Sequence, residues 1–516
     1  MSTMGQQPRP GHYRLQHGVR VVAQDGSAIA ICDYPLRLVR LSVITARLLS
    51  LCSEERTCEQ LAQAANLPVK RVEALCDQLR RKGLLEAGPP LPPPTWPGIS
   101  IVILVHNRAK ELGRCLRSLF ALDYPAGSLE IVVVDDDSTG ETGNTLQLLE
   151  QEAVAHDLEM RIISHEKQQG VGISRNTGAE AAQYDLIAYI DSDCIASPGW
   201  LKELVPAFQD AQLAAAGGMI RAYDRNTQLG RYEDVRSSLF MGTRSQQVSL
   251  KGPLTYLPTA NIVMRRTAWQ QLAGFAPLVQ GEDVDFCWRL LKTGANINYL
   301  PCGVVYHDYR TTVGAFLLIR IAYASAEAAL LKRHPNERRI LLLPPEQAIF
   351  AAAIIGAGWG TFWIIWRSLW FGLQGMTVAL VSLSFLLALL FTLFGAHKRL
   401  QKVREQRIPL GFPIVFEATL RGHLAYTYLF GRHLTRYYTL PLVVVSLLVP
   451  PLFILFLMLC GMVIGVDYVR LRPEMDVGMY ALCSLLDDFA YEVGVVWGCV
   501  KHRQWKPLVP LIKTQV

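Results

Sequence analysis

The sequence predicts an α/β domain with a mostly parallel sheet, set between a small N-terminal module and a C-terminal region of apolar helices. Three observations predict it. Residues 99–105, 129–135 and 186–191 are nearly continuous apolar runs with helical stretches between them, the pattern of strands buried on both faces. Five prolines among residues 89–94 form an extended linker that divides residues 1–88 from the rest. Residues 347–366, 368–396 and 437–466 carry no charged side chain, and each run is long enough as helix for a bilayer core of about 20 residues.

The expected organisation is a module over 1–88, a linker over 89–98, an α/β domain with an interfacial helix over 99–340, and a membrane-associated region over 341–516. Composition agrees. Apolar residues are 51% and charged residues 18% of the 516, which excludes a disordered chain. The excess of 51 Lys and Arg over 44 Asp and Glu is small and dispersed, so a dedicated nucleic-acid partner is not expected. Eleven cysteines without a C-x-x-C pair fit neither a disulfide framework nor a zinc site. The polar, basic first 20 residues have no apolar core segment of a secretory leader, and both features predict a cytoplasmic soluble part.

In the N-terminal module, strands are expected at 19–23 and 28–32 around an Asp25-Gly26 turn, with a third at 36–41. Helical periodicity follows through Ala46, Leu48, Leu49 and Leu51. Thr57 with Gln60 forms a capping box for a second helix, and Pro68 opens a third that runs to Lys82. The result is winged-helix-like. Residues 42–88 hold seven basic and six acidic side chains, too neutral a balance to read DNA. Peptide capture by strand addition suits the open sheet edge better.

The chemistry sits where strands of the α/β domain end. Asp191 and Asp193 lie two residues apart at a strand end, where alternation points both to one side. Such a pair repels unless a cation joins it, and hard oxygen ligands suit Mg²⁺ or Mn²⁺; a solvated acidic loop is the alternative. Asp135, Asp136 and Asp137 close the second strand, either to accept hydrogen bonds from a nucleoside or to open a helix. Glu282 and Asp283 open a later helix, where acidic residues favour the positive end of the dipole or serve as a general base. His307 follows a short strand and reads by itself as a structural histidine.

Taken in order, these motifs resemble the family 2 glycosyltransferases and their GT-A (Rossmann-like) fold over residues 99–310. His106, Asn107 and Arg108 after the first strand, residues 175–178 before the D-x-D strand, and Asn261 ahead of Arg265 and Arg266 support the likeness. The resemblance implies that His106, Asp135, Asp136 and Arg175 contact the nucleotide. It implies that Asp191, Asp193 and His307 hold Mg²⁺ or Mn²⁺, that Asp283 is the catalytic base, and that Asn261 and Glu282 belong to the substrate site. Asp137 departs from the family pattern, which usually has glycine there, and puts the shape of the nucleotide turn in question. An inverting transfer with no enzyme nucleophile follows from this set.

Over its whole length the chain is similar to the mycofactocin-system glycosyltransferases, which join a peptide-recognition domain to a family 2 domain. Residues 13–86, 323–335 and 487–498 carry that likeness. It implies UDP-glucose as donor and premycofactocin or its peptide precursor as acceptor, with a short oligosaccharide as product. The alternatives are a membrane enzyme of polysaccharide or glycolipid synthesis, against which the absence of Q-x-x-R-W counts, and a non-catalytic peptide-binding scaffold, against which the carboxylates count. Lys332, Arg333, Arg338 and Arg339, and eight Lys or Arg between Lys398 and Arg436, predict a multi-pass inner-membrane protein in contact with lipid, its catalytic domain facing the cytoplasm. Pro450 and Pro451 are expected to kink the third apolar run or turn it back.

Overall fold

The computed structural model describes residues 8–9, 11–24, 27–33, 36–88, 90–125, 127–354, 356–357, 360, 375–448 and 450–514. They form two compact units. One comprises Met1–Pro89, Arg338–Arg470 and Leu508–Val516, and the other Pro90–Glu337 and Leu471–Pro507.

In the first unit, β1 (His12–Leu15) lies between β5 (Arg56–Thr57) and β6 (Leu85–Ala87), and β3 (Ser27–Asp33) lies between β2 (Val19–Gln24) and β4 (Leu36–Leu41). The strands expected at 19–23, 28–32 and 36–41 are therefore present, while the turn expected at Asp25 and Gly26 lies outside the described residues. Helices α1 (Val43–Leu51), α2 (Cys58–Ala65) and α3 (Val69–Arg81) pack their apolar stripes on these sheets around Leu48, Leu49, Leu61, Val72 and Leu79. Thr57 caps α2 in the expected box: its hydroxyl accepts from the Gln60 amide, and the Gln60 side chain accepts from the Thr57 amide. Ile29 and Ile31, on β3, pack with Ala396, Leu400, Val403 and Val415 of the apolar helical region.

That region contains the helices Gly375–Glu405, Phe412–Tyr437, Thr439–Leu448 and Pro450–Leu471. The expected run 347–366 lies partly outside the described residues. The third run is divided into two helices, Thr439–Leu448 and Pro450–Leu471, with the second beginning at the proline pair. By length and composition, Ser382–Glu405, Leu452–Leu471 and Val313–Arg333 could each cross a membrane. The last of these belongs to the second unit and was not among the expected runs.

The second unit is built on an eight-stranded sheet. In chain order its strands are β7 (Ile99–Val105), β8 (Leu129–Asp135), β9 (Glu159–Ser164), β10 (Leu186–Asp191), β12 (Leu213–Gly217), β14 (Gln246–Gln247), β15 (Ile262–Arg265) and β16 (Asn296–Tyr299). Their spatial order is β14-β16-β12-β15-β10-β7-β8-β9. The half β10-β7-β8-β9 is parallel as expected, because α4 (Ala109–Phe120), α5 (Glu141–Ala155) and α6 (Val171–Ala181) supply the crossovers. The other half is mixed: β15 enters antiparallel between β10 and β12. The sheet is therefore mixed, with four of its seven strand pairings parallel. The reason lies in the connection: a loop segment after α8 (Gln228–Arg236), not a crossover helix, feeds β15.

Two features place chemistry at one edge of this sheet. The parallel register sets Asp191 opposite Leu104 and Asp135 opposite Val105, so the turns after β7, β8 and β10 share the carboxyl edge. A second small sheet, β11 (Cys194–Ala196), β17 (Val305–His307) and β13 (Ile220–Ala222), pairs Cys194 with His307. Helices α10 (Glu282–Lys292), α11 (Val313–Arg333) and Val477–His502 complete the unit.

Candidate active site

The turns after β7 and β8 hold each other in place. His106 Nδ1 lies 2.8 Å from the Asp136 carbonyl oxygen, the Asn107 amide donates to Ser138 Oγ at 3.0 Å, and Asn107 Oδ1 accepts from the Thr139 amide at 2.7 Å. Asp135 accepts from the Ser138 amide at 3.1 Å. Asp137, where the family pattern has glycine, adopts φ 65°. Aspartate tolerates this left-handed conformation better than most side chains, so the turn keeps the shape that glycine would give it.

Asp136 is almost fully buried and points away from this turn. Its two carboxylate oxygens accept from the Gln169 amide at 2.8 Å and the Gly170 amide at 2.9 Å, and His165 Nδ1 lies 2.8 Å away. Burial alone would raise its pKa, but these bonds outweigh burial and hold the carboxyl below the usual range. Asp136 thus anchors the loop that leads into α6. His165 is a residue that the sequence reading missed, and no local signal marks it.

At the D-x-D turn the two aspartates differ. Asp191 is partly exposed and accepts from Arg175 Nη2 at 2.9 Å. Asp193 is buried, bonded to Arg108, with His307 Nε2 at 3.5 Å and Arg310 at 4.0 Å. Burial opposes the ionised form of Asp193, yet His307, Arg108 and Arg310 together keep its pKa low. Donor atoms of Asp193, Cys194 and His307 lie within 4.8 Å of one another, a spacing that can hold a metal ion. Burial drives the Cys194 thiol well above its ordinary range, so the protonated sulfur is a poor ligand and the carboxylate and imidazole are the better donors. His307 Nδ1 is buried without a hydrogen-bond partner among the described residues. Asp193 and His307 are the donors of that group that fit a divalent cation, and the partly exposed Asp191 is not in the group. The motifs assign no role to Arg310, or to Arg108, which directly follows the His106-Asn107 pair.

Helix α10 opens with three carboxylates that the fold gives three separate environments. Glu282 is buried and bonded to Arg175, whose guanidinium therefore bridges Glu282 and Asp191 and is itself buried. Asp285 is fully buried and accepts from Arg289, Arg333 and His334 at 2.7, 2.9 and 2.8 Å. Among the described residues, Asp283 has no basic partner within salt-bridge distance; it caps only the Val284 amide, at 2.7 Å. Desolvation and the neighbouring Glu282 carboxylate push Asp283 up to about 7, against the pull of Arg175. A half-buried carboxylate poised near neutrality, across Arg175 from the D-x-D turn, suits a general base.

Asn261 takes a different place from the expected one. It is fully buried, accepts from Trp200 Nε1 at 2.8 Å, and donates to the carbonyl oxygens of Met219 and Gly303 at 3.0 and 2.8 Å. The oxygen of its amide is taken by Trp200, and its NH2 group by the residues just ahead of β13 and β17.

Residues 100–272 match the family model for "Glycosyl transferase family 2". The chain carries a family 2 glycosyltransferase domain. This glycosyltransferase is 28% identical, over 98% of its length and 99% of the relative's, to the pre-mycofactocin glycosyltransferase of Mycobacterium tuberculosis. It is 26% identical to glycosyltransferase AglE of Haloferax volcanii over 42% of this chain and 68% of that one. Among solved structures, a mannosyltransferase from Pyrobaculum calidifontis in complex with GDP-Man and Mn²⁺ aligns with a TM-score of 0.39 and 18% identity, over 47% of this chain and 66% of that one. In the glycosyltransferase domain, His106, Asp135, Asp191 and Asp193 lie at the ends of β7, β8 and β10, and Arg175 of α6, Glu282 and Asp283 of α10 and His307 of β17 adjoin them. Asn261 and Asp136 support these residues from behind.

Proposed function

We propose that the chain transfers glucose from UDP-glucose to premycofactocin, with inversion, and repeats the transfer to build a short oligosaccharide. The observation that carries this reading is the end-to-end alignment with the pre-mycofactocin glycosyltransferase, which extends through the N-terminal module and the apolar helices as well as the catalytic domain.

In this reading the turns after β7 and β8, with His106 and Asp135, face the nucleoside. Asp136 and Arg175 act one step back: the first fixes the loop into α6, and the second holds Asp191 and Glu282 at a set separation. A divalent cation, Mg²⁺ or Mn²⁺, held by Asp191, Asp193 and His307 would neutralise charge on the diphosphate. Asp283 accepts the proton of an acceptor hydroxyl as that oxygen bonds to the anomeric carbon. The bond from that carbon to the UDP oxygen breaks on the opposite face, so one displacement inverts the configuration. Holding both substrates in line contributes heavily to such a transfer. The N-terminal module recognises the peptide-derived acceptor, because β2 and β4 are the edge strands of their sheet among the described residues, which suits strand addition. Ser382–Glu405 and Leu452–Leu471 anchor the chain in the inner membrane with the catalytic domain in the cytoplasm, where its basic flanking segments belong.

The test is mass spectrometry of detergent-solubilised protein incubated with UDP-glucose, Mn²⁺ and premycofactocin. A ladder of hexose additions that vanishes on chelation supports the reading. Metal-dependent release of UDP without a ladder overturns the acceptor and directs attention to polysaccharide or lipid acceptors. Neither product overturns catalysis and favours a peptide-binding scaffold.

A further inference from the structure

The helix Val477–His502 has its polarity inside out. Ser484, Asp487, Asp488 and Glu492 are buried, whereas Leu482, Leu485, Phe489, Val496, Trp497 and Val500 are exposed, with Trp497 at 59%. A helix bathed in water shows the reverse pattern. Two side chains of this helix, Asp487 and Tyr491, are held from within the second unit. Asp487 accepts from Tyr232 at 3.0 Å and lies 3.2 Å from Arg320, which also donates to Glu233 at 2.6 Å. Tyr491 bonds to Glu327.

Its packing partner α11 buries Arg320 among apolar residues such as Phe316 and Leu330, and leaves Leu318 69% exposed. The two helices touch through small residues: a Cβ on Gly494 would lie 2.4 Å from the Ile321 carbonyl oxygen, and one on Gly498 2.3 Å from that of Ser325. Helix α11 has the length and hydropathy of a membrane span, about 30 Å for its 21 residues. Its contacts rule out that use. Near the start, Phe316 is buried against Tyr232; in the middle, Arg320 pairs with Glu233; at the end, Arg333 and His334 bond to Asp285. A helix bonded along its whole length to one water-soluble domain cannot put one end across a bilayer.

We infer that α11 and Val477–His502 lie flat in the membrane interface and seat the glycosyltransferase domain on an anionic lipid surface. Leu318, Leu485, Phe489 and Trp497 enter the acyl boundary, as in other interfacial helices. Charge favours this occupant: exposed Lys501, Arg503 and Lys506 follow the apolar stripe, and Trp505 stands among them. Only residues 472–476 separate the helix in sequence from the apolar helix Pro450–Leu471. The start of α10 abuts α11, since a Cβ on Gly281 would meet Ala326 and Leu330 at 3.3 and 3.2 Å. Asp283 therefore lies two residues from a helix at the bilayer surface. The inference rests on the membrane reading above, not on the identity of the acceptor.

The experiment replaces Leu318, Phe489, Trp497, Leu386 and Val154, one at a time, by the photo-cross-linker benzoylphenylalanine. The full chain is reconstituted in phosphatidylglycerol-phosphatidylcholine vesicles, irradiated and analysed by mass for lipid adducts. All five positions are exposed, so the substitutions are compatible with folding. Leu386, in the candidate span Ser382–Glu405, reports membrane insertion itself, and Val154 reports water. Adducts at 318, 489, 497 and 386 with none at 154 are expected. Charge reversal of Lys501, Arg503 and Lys506 should lower the adduct yield at 497 in these vesicles and not in phosphatidylcholine alone. Adducts at 386 without adducts at 489 and 497, or cross-links from 489 and 497 to the chain itself, overturn the inference and leave the membrane reading standing. No adduct at 386 overturns the membrane reading.

Discussion

Replacing Asp283 by Asn separates the roles of charge and shape at the proposed base. Desolvation and Glu282 raise the Asp283 carboxyl from 3.8 to about 7. Folding therefore favours the protonated form. The stability that this provides is complete below pH ~4 and is lost as pH rises through about 7, a difference corresponding to about 4 kcal/mol at most. Asparagine carries no charge to desolvate, so in chelated protein at pH 8 the Asp283→Asn variant should unfold at a higher temperature than the native chain. At pH 5 the difference should be less than half as large, and below pH ~4 it should vanish. Catalysis runs the other way. A general base must be ionised, so kcat/KM for the native chain should rise with pH, to about half its plateau near pH 7 and about a tenth of it at pH 6. The variant should lose about 10²- to 10⁴-fold in kcat while its affinity for UDP-glucose stays within a few-fold. Thermal scans at the two pH values, a pH-rate profile and donor titration by calorimetry measure all of this. Transfer within tenfold of native, or a native profile flat from pH 5.5 to 8, refutes the assignment.

Asp136 should show the opposite sign: its carboxyl is held low, so the stability it lends is present above the ordinary carboxylate range and lost as pH falls through the lowered value. Asp136→Asn should narrow the gap in melting temperature between pH 7 and pH 3. Arg108→Gln removes a cation that competes for Asp193. Apo stability should fall by about 1–2 kcal/mol, less than for a fully buried pair because Arg108 is 34% exposed, and the Mn²⁺-induced rise in melting temperature should grow. Chelation should abolish transfer, and His307→Ala should raise the Mn²⁺ needed for half-maximal rate at least about tenfold, as metal titrations would show. Gly494→Ala and Gly498→Ala each force a Cβ against α11 backbone and should cost about 1–3 kcal/mol. Gly422→Ala, with nothing within 4 Å, should stabilise by up to about 1 kcal/mol from helix propensity, and detergent melting curves would rank the three.

Elements whose cause is local were legible in the chain. The capping box at Thr57 and Gln60 depends on residues three apart, and the strands 99–105, 129–135 and 186–191 depend on runs of β-branched and aliphatic side chains. The edge where the site assembles was legible as well, because parallel strands joined by helices must bring their carboxyl ends to one side. The mixed half of the sheet was not. Strand direction at β15 is set by a route through the loops ahead of it, which carry no periodic pattern.

The division within the site has the same origin. Residue types and their order determined the fold class of the central domain, the family and the stock of acidic groups, because chemistry of this kind needs those side chains at strand ends and helix starts. Which carboxylate does what was decided only by tertiary neighbours. Of the acidic residues that open α10, Glu282 meets Arg175, Asp285 meets Arg289, Arg333 and His334, and Asp283 is left poised near neutrality. Asp136 and Asn261 lie within or beside promising motifs, yet the structure spends them on Gln169, Gly170, Trp200 and Gly303. Likewise the apolar count of α11 suggests a membrane span, and its bonds to Glu233 and Asp285, with its packing on Val477–His502, hold it against the domain. Hydropathy and motif order are properties of a segment, whereas burial, charge pairing and the partner that satisfies a polar group are properties of the folded surroundings.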